Sequence, residues 1–264
     1  MHLLLPPSEA KTPGGRGRPF GDRLAALDGP LGDGRRAVAA ALAELVAGSP
    51  ARAADALRLP PGVAADALAK NAALADSRTT PALRRYAGIV YDGLDASGMD
   101  DATRRHAGRR ILVFSGLLGV VRGDEKVPDY RVPAKATLPG VGVAGTFWRP
   151  LLDDVLPTLV GRGLVVDLRS GDYAAMWRPA KADADRVVTV RVLSPVPRGG
   201  TAVISHTSKL MKGRLAAALL RAAAAGSVAG GAQDVAQAWL RLGGLRAEAG
   251  AGGRLDLHTR TPTG

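Results

Sequence analysis

The chain has 264 residues, of which 46% are apolar and 23% charged; these are ordinary globular proportions, enough for a full core, and they exclude disorder as the dominant state. It contains no cysteine, which removes disulfides, thiolate-bound zinc, Cys-ligated iron–sulfur clusters and thiol redox chemistry. Its 36 Lys and Arg against 24 Asp and Glu leave a net charge of +12, a surplus that favours a polyanionic partner, nucleic acid ahead of a merely solvated surface.

The opening Met1–Pro7 is too short an apolar run for a signal peptide, and Glu9 and Lys11 follow at once. No run reaches the roughly 18–20 apolar residues of a membrane helix. A cytoplasmic protein without a membrane partner is therefore expected. Five short apolar runs read as buried strands: Leu3–Leu5, Ile111–Phe114, Leu164–Leu168, Val187–Leu193 and Ala202–Ser205. Between the first two lies a helical stretch, with apolar residues at helical spacing over Leu24–Leu27, Arg35–Val46, Ala51–Leu57 and Ala64–Leu74. Thr80-Pro81 is an N-cap followed by a helix-opening proline and predicts a helix running through Arg84, Arg85, Tyr86 and Val90. Further helices are predicted at Asp100–Arg105, Phe147–Val160, Leu210–Ala225 and Gln233–Leu242, and loops at Pro13–Pro19 and Gly226–Gly231. The pattern predicts an α/β fold: one domain over residues 1–264 with a central, largely buried mixed sheet flanked by helices, and a helical insertion over about 20–110.

Polar residues follow the predicted strands in the same way each time. Ser8, Glu9 and Lys11 follow the first, Ser115 the second, Ser170, Asp172 and Tyr173 the third, and Ser205 and Lys209 the last. If these strands are mostly parallel, the four groups meet at one sheet edge, where ligands of α/β folds bind. Turn chemistry alone accounts for the serines, but not for Lys11, Asp124, Tyr130, Arg131, Asp172 and Lys209. The loop after Ile111–Phe114 concentrates Arg122, Asp124, Glu125, Asp129, Tyr130 and Arg131.

Several pieces, in order, carry a family resemblance: Pro7-Ser8-Glu9-Ala10-Lys11-Thr12, Tyr86 to Leu94, Ser115 to Asp124, Pro128 to Arg131, Phe147-Trp148, Asp167 to Tyr173, and Ile204-Ser205 through Lys209 to Lys212-Gly213. The chain resembles the YaaA family of bacterial peroxide-stress proteins, departing from it in having Lys212 where an Arg-Gly pair is usual. The match fades after about residue 214. The resemblance implies a compact α/β domain with an embedded helix-hairpin-helix-like element, a positively charged cleft, DNA binding, and protection against hydrogen peroxide by limiting free iron.

Such a hairpin would fall within Ala53–Asn71, where Gly62 and Val63 could offer backbone N–H groups to phosphate, while Pro60 and Pro61 remove two donors. Arg84, Arg85, Arg105, Arg109 and Lys212 complete the expected DNA-binding set. Arg105 and Arg109 share a face if their helix persists through Gly108. The acidic residues open a second expectation: an enzyme acting on a nucleotide, a nucleobase or damaged DNA. It would use a cleft of Ser8, Lys11, Ser115, Asp124, Tyr130, Arg131, Asp172, Tyr173 and Lys209, with Asp124 or Asp172 as base or nucleophile and Lys11, Arg131 and Lys209 on phosphate. A buried ion-pair network holding the loops is the third reading. The expected partners are DNA, bound without sequence preference, and, on the enzyme reading, a nucleotide-like small molecule; the protein is expected to be a monomer. No cofactor is called for. No metal is called for either, since His2, His106, His206 and His258 are far apart and form no His-x-x-x-His or Glu-x-x-His pair. A GxSxG elbow is also absent.

Overall fold

The computed structural model describes residues 1–169, 171–197, 199–227 and 230–259. Ser170, named above, lies outside them, as do two residues of the 226–231 loop. The chain begins with β1 (His2–Leu5), whose four residues are all buried. It then runs through α1 (Phe20–Ala25), α2 (Gly29–Ala47), α3 (Pro50–Ala56) and α4 (Pro61–Ala72). A two-residue strand, β2 (Thr80–Pro81), precedes α5 (Ala82–Arg85), α6 (Ile89–Leu94) and α7 (Asp101–Arg110). The antiparallel pair β3 (Ile111–Ser115) and β4 (Gly119–Arg122) follows, then the short strands β5 (Lys126–Val127), β6 (Thr137–Leu138) and β7 (Gly142–Val143). Next come α8 (Ala144–Val160), β8 (Val165–Asp167), α9 (Asp172–Ala175), β9 (Val187–Pro195), β10 (Thr201–Ala202) and α10 (Ser205–Ala224). The chain closes with α11 (Ala232–Arg241), β11 (Arg246–Ala249) and β12 (Arg254–His258).

One eight-stranded mixed sheet organises the molecule, in the order β11-β12-β9-β8-β1-β3-β4, with β10 paired to β9. The four central strands, β9, β8, β1 and β3, run parallel, with Leu3 opposite Ile111 and Leu4 opposite Asp167. The apolar runs of β1 and β3 suit strands covered on both faces, while β9 exposes Thr189 and Arg191. On α8, Trp148, Leu152, Leu156 and Val160 recur every four residues and are all buried in the core, the stripe a helix needs to cover a sheet.

The strand order also locates a site. From β1 the chain crosses to β3 on one side and later returns to β8 on the other, so the topology switches direction at β1. A crevice opens at such a point beyond the carboxyl ends of the strands, where the Ser8–Lys11 loop leaves the sheet.

Several sequence expectations need correction. The helix foreseen from Thr80 is broken in two: Thr80 and Pro81 pair with β5, and between α5 and α6 Gly88 takes a φ of 104°, which a side chain would resist. The last predicted strand shrinks to Thr201–Ala202, and Ser205 instead opens α10. That strand is antiparallel to β9, so only three of the four polar groups are delivered by parallel strands. Two strands near the chain end, β11 and β12, had no counterpart in the sequence reading; β12 lies parallel to β9 and extends the sheet.

Candidate functional site

The carboxyl ends of β1, β3 and β8 bring together a cluster of hydroxyls around one amine. Lys11 Nζ donates to the carbonyl of Ser8 at 2.9 Å and sits 4.2 Å from the ring centre of Tyr130 and 5.4 Å from that of Tyr86. Tyr130 is buried, and its hydroxyl shares hydrogen bonds with Ser115 Oγ at 2.6 Å and the Tyr86 hydroxyl at 2.7 Å. Ser115 Oγ also accepts from the N–H groups of Leu117 and Leu118, which fixes its place at the end of β3. Tyr91 stacks on Tyr86 with ring centres 5.5 Å apart and donates to the carbonyl of Pro6. The Tyr173 hydroxyl is buried beside the Ala134 backbone and forms no well-directed hydrogen bond among the described residues. The chain has four tyrosines, and these are the four.

Electrostatics follow from burial. Desolvation lowers the Lys11 amine to about 8, against the opposing pull of Glu9 and Asp129. Those carboxylates are held elsewhere, Glu9 by Arg131 at 3.4 Å and Asp129 by Lys70 at 3.7 Å, and none forms an ion pair with Lys11 among the described residues. Desolvation raises all four phenols, Tyr130 to about 12 despite its two favourable hydrogen bonds. A second buried amine, Lys212, is lowered to about 8 by desolvation and donates to the carbonyl of Arg169 at 3.0 Å. Arg169 in turn forms a two-pronged pair with Asp167 and stacks over Phe114, a buried unit that braces the end of β8.

The placement of the expected residues is mixed. Ser8, Lys11, Ser115, Tyr130 and Arg131 gather with Tyr173 at the carboxyl edge. Asp172 follows on α9, exposed and paired with Lys135 at 3.0 Å. Asp124 does not join them: its N–H bonds the carbonyl of Gly108, ahead of β3, so it lies at the opposite, amino end of that strand, exposed beside Arg122. A loop after a short antiparallel return carries its residues back along the sheet, which sequence spacing does not reveal. Lys209 is exposed on α10.

Of the DNA-binding candidates, Arg84, Arg105 and Arg109 are exposed and line one groove of about 1020 Å³, together with Arg104, Lys126 and Asp124. The helix does persist through Gly108, so Arg105 and Arg109 share a face. Asp92, Asp95 and Asp101 line the same groove. Arg85 and Lys212 are corrected to interior positions: Arg85 donates to the carbonyls of Thr12, Gly14 and Arg78, and Lys212 to that of Arg169, so neither faces a duplex. At the helical pair α3 and α4, Gly62 is exposed, but the Val63 N–H is taken by the carbonyl of Pro60.

The helix α4 has a visible role at the site. Buried Asn71 accepts from the Arg131 N–H and donates to the Arg131 carbonyl, both at 2.9 Å, and so clamps the loop that carries Tyr130. Asn71 escaped the sequence reading; the one available signal was a lone amide on an otherwise apolar helical face. Tyr86 and Tyr91 were not among the expected site residues, although the scarcity of tyrosine could have marked them. Asn71→Ala is expected to cost about 2–4 kcal/mol in urea unfolding, because it strands two backbone groups, whereas Lys70→Ala on the same helix, half-exposed, should cost below about 1 kcal/mol.

Comparison with known proteins gives one family and several relatives. The family described as "Peroxide stress protein YaaA" matches residues 1–229. A UPF0246 protein of Streptomyces coelicolor is 43% identical over 256 residues, covering 96% of this chain and 95% of the relative. A UPF0246 protein of Corynebacterium efficiens is 36% identical over 242 residues, covering 90% and 92%. One from Corynebacterium glutamicum is 34% identical over 223 residues, covering 83% and 84%.

Proposed function

The chain belongs to the YaaA family of peroxide stress proteins, and from that premise we propose that it acts in the response to hydrogen peroxide by binding DNA without sequence preference, limiting the damage free iron inflicts there. The observation that carries this reading is the groove in which Arg84 at the end of α5 and Arg105 and Arg109 on one face of α7 are exposed together. Guanidinium groups on a rigid helix face can neutralise phosphates and release their counterions, while offering no fixed pattern to base edges. The net charge of +12 acts in the same direction. The four aspartates of the groove limit its breadth to a track along the arginines.

Fluorescence anisotropy against unrelated duplexes over a salt series tests the reading. Affinity is expected to fall steeply with salt and to change little with sequence, and Arg105→Glu with Arg109→Glu should lower the logarithmic salt slope by about 2. No binding at low salt, or binding indifferent to both substitutions, rules it out.

A second reading rests on a different observation. Among the described residues the part-buried Lys11 amine forms no ion pair, and the Tyr173 hydroxyl, beside the Ala134 backbone, forms no well-directed hydrogen bond. Polar groups buried with spare bonding capacity are expensive unless something completes them. This supports the carboxyl-edge cluster as a small-ligand site of an enzyme acting on a nucleotide, a nucleobase or damaged DNA. Asp124 drops out of that machinery because it stands at the other end of β3.

A further inference from the structure

The second reading leaves open what the cluster binds, and the inference here rests on it. Lys11 lies at the switch point of the sheet, where β1 hands the chain to neighbours on either side. Among the described residues its amine makes one hydrogen bond, to the Ser8 carbonyl, and lies over the rings of Tyr130 and Tyr86, with the charges of Glu9, Asp129, Arg131 and Lys70 farther out. An ammonium meant to hold an anion is ordinarily exposed to it or balanced by a carboxylate; an amine walled by aromatic rings is instead kept poorly solvated, the condition that activates lysine as a nucleophile. Burial also brings its proton affinity close to neutrality. One layer outward, Glu9, Ala10 and Thr12 are exposed, and Arg131 meets Glu9 at 3.4 Å, a loose ion pair that a phosphate can replace. Tyr173, whose hydroxyl forms no well-directed hydrogen bond among the described residues, feels the charge of Glu9 and lies near Tyr130.

We propose that Lys11 captures the aldehyde carbon of a short phosphorylated sugar as a Schiff base, with Arg131 receiving the phosphate and the Tyr173 hydroxyl available to the carbonyl oxygen. The neutral amine forms an N–C bond, and the carbonyl π bond opens. One amine proton passes to that oxygen, giving the carbinolamine. The C–O bond then breaks, and the oxygen leaves as water with the second amine proton, so the imine forms with no oxidant, reductant or cofactor. The aldehyde has two sources of the same chemistry: the open deoxyribose of a baseless site within DNA, or a free sugar such as deoxyribose 5-phosphate.

Borohydride reduction locks such an imine as a stable amine. The full chain is incubated with deoxyribose 5-phosphate, or with a duplex carrying one baseless site, then reduced and read by intact mass and peptide mapping. An adduct on the peptide containing Lys11, lost in Lys11→Arg, is the expected result, and the arm that yields it identifies the source. Absence of an adduct in both arms, or an adduct that persists in Lys11→Arg, overturns the proposal. The mapped position in the unsubstituted protein decides the matter even if the variant does not fold. If no adduct forms in either arm but deoxyribose 5-phosphate raises the melting temperature, the cluster remains a small-ligand site and only the covalent step falls; if no adduct forms in either arm and the melting temperature is unchanged, both fall.

Discussion

Lys11→Met is expected to raise thermal stability at neutral pH and to flatten its dependence on pH between about 8 and 10. In the folded chain the Lys11 amine is held at about 8, against an ordinary 10.5. Below 8 both folded and unfolded chains carry the proton, and the fold bears the full cost of a buried ammonium. Between 8 and 10.5 the unfolded chain binds more protons, so stability rises with pH through that window. The gain is on the order of 3 kcal/mol for such a displacement. Lys212, lowered in the same way, contributes a similar rise, so Lys11→Met should remove about half of it. The tyrosines act with the opposite sign. Their raised values mean that their contribution is complete below about pH 10 and is lost above it, as the unfolded phenols ionise first. Melting temperatures taken across the alkaline range should therefore climb and then fall. An unchanged climb in Lys11→Met would mean that its amine is not buried in solution.

Gly213→Ala is expected to cost at least about 3 kcal/mol and to loosen the carboxyl-edge cluster. Gly213 on α10 and Gly93 on α6 stand where the two helices touch. A Cβ on Gly213 would fall on the Val90 carbonyl oxygen and within 2.8 Å of the Leu94 nitrogen, and a Cβ on Gly93 would strike the Leu210 carbonyl. These obstacles are backbone, so no side chain can rotate away. The crossing matters to the site because α6 carries Tyr91 and α10 carries Lys212. Gly62→Ala, at the exposed start of α4 with nothing within 4 Å, is the contrast and should stabilise by about 0.5–1 kcal/mol. Urea unfolding of both variants checks the pair; a mild Gly213→Ala would mean that the helices can move apart.

The parts of the fold legible in the sequence were those written in continuous apolar runs. Leu3–Leu5 and Ile111–Phe114 announce buried strands because both of their faces are covered, whereas Val187–Leu193 is interrupted by Thr189 and Arg191, which are exposed. The C-terminal strands β11 and β12 alternate charged with small or apolar residues over four positions each, Arg246-Ala-Glu-Ala and Arg254-Leu-Asp-Leu, and pair through Arg191–Asp256 and His258–Glu248 contacts between strands that no local pattern encodes. At the site, Ser8, Lys11 and Ser115 were readable because strand ends deliver them. Asp124 was misassigned because a short antiparallel turn reverses the chain, and Asn71 was missed because its partner is the backbone of Arg131, 60 residues away. Basic residues were read as surface; Arg85 and Lys212 are interior because backbone carbonyls, not solvent, satisfy them.

The gathering of all four tyrosines in one cluster around Tyr86 and Tyr130 makes the protein its own optical probe. Phenol absorbance and emission originate from this single cluster, with no background from tyrosines elsewhere in the chain. A ligand that enters the cluster or a proton that leaves it will change the tyrosine part of the near-ultraviolet spectrum without any label attached.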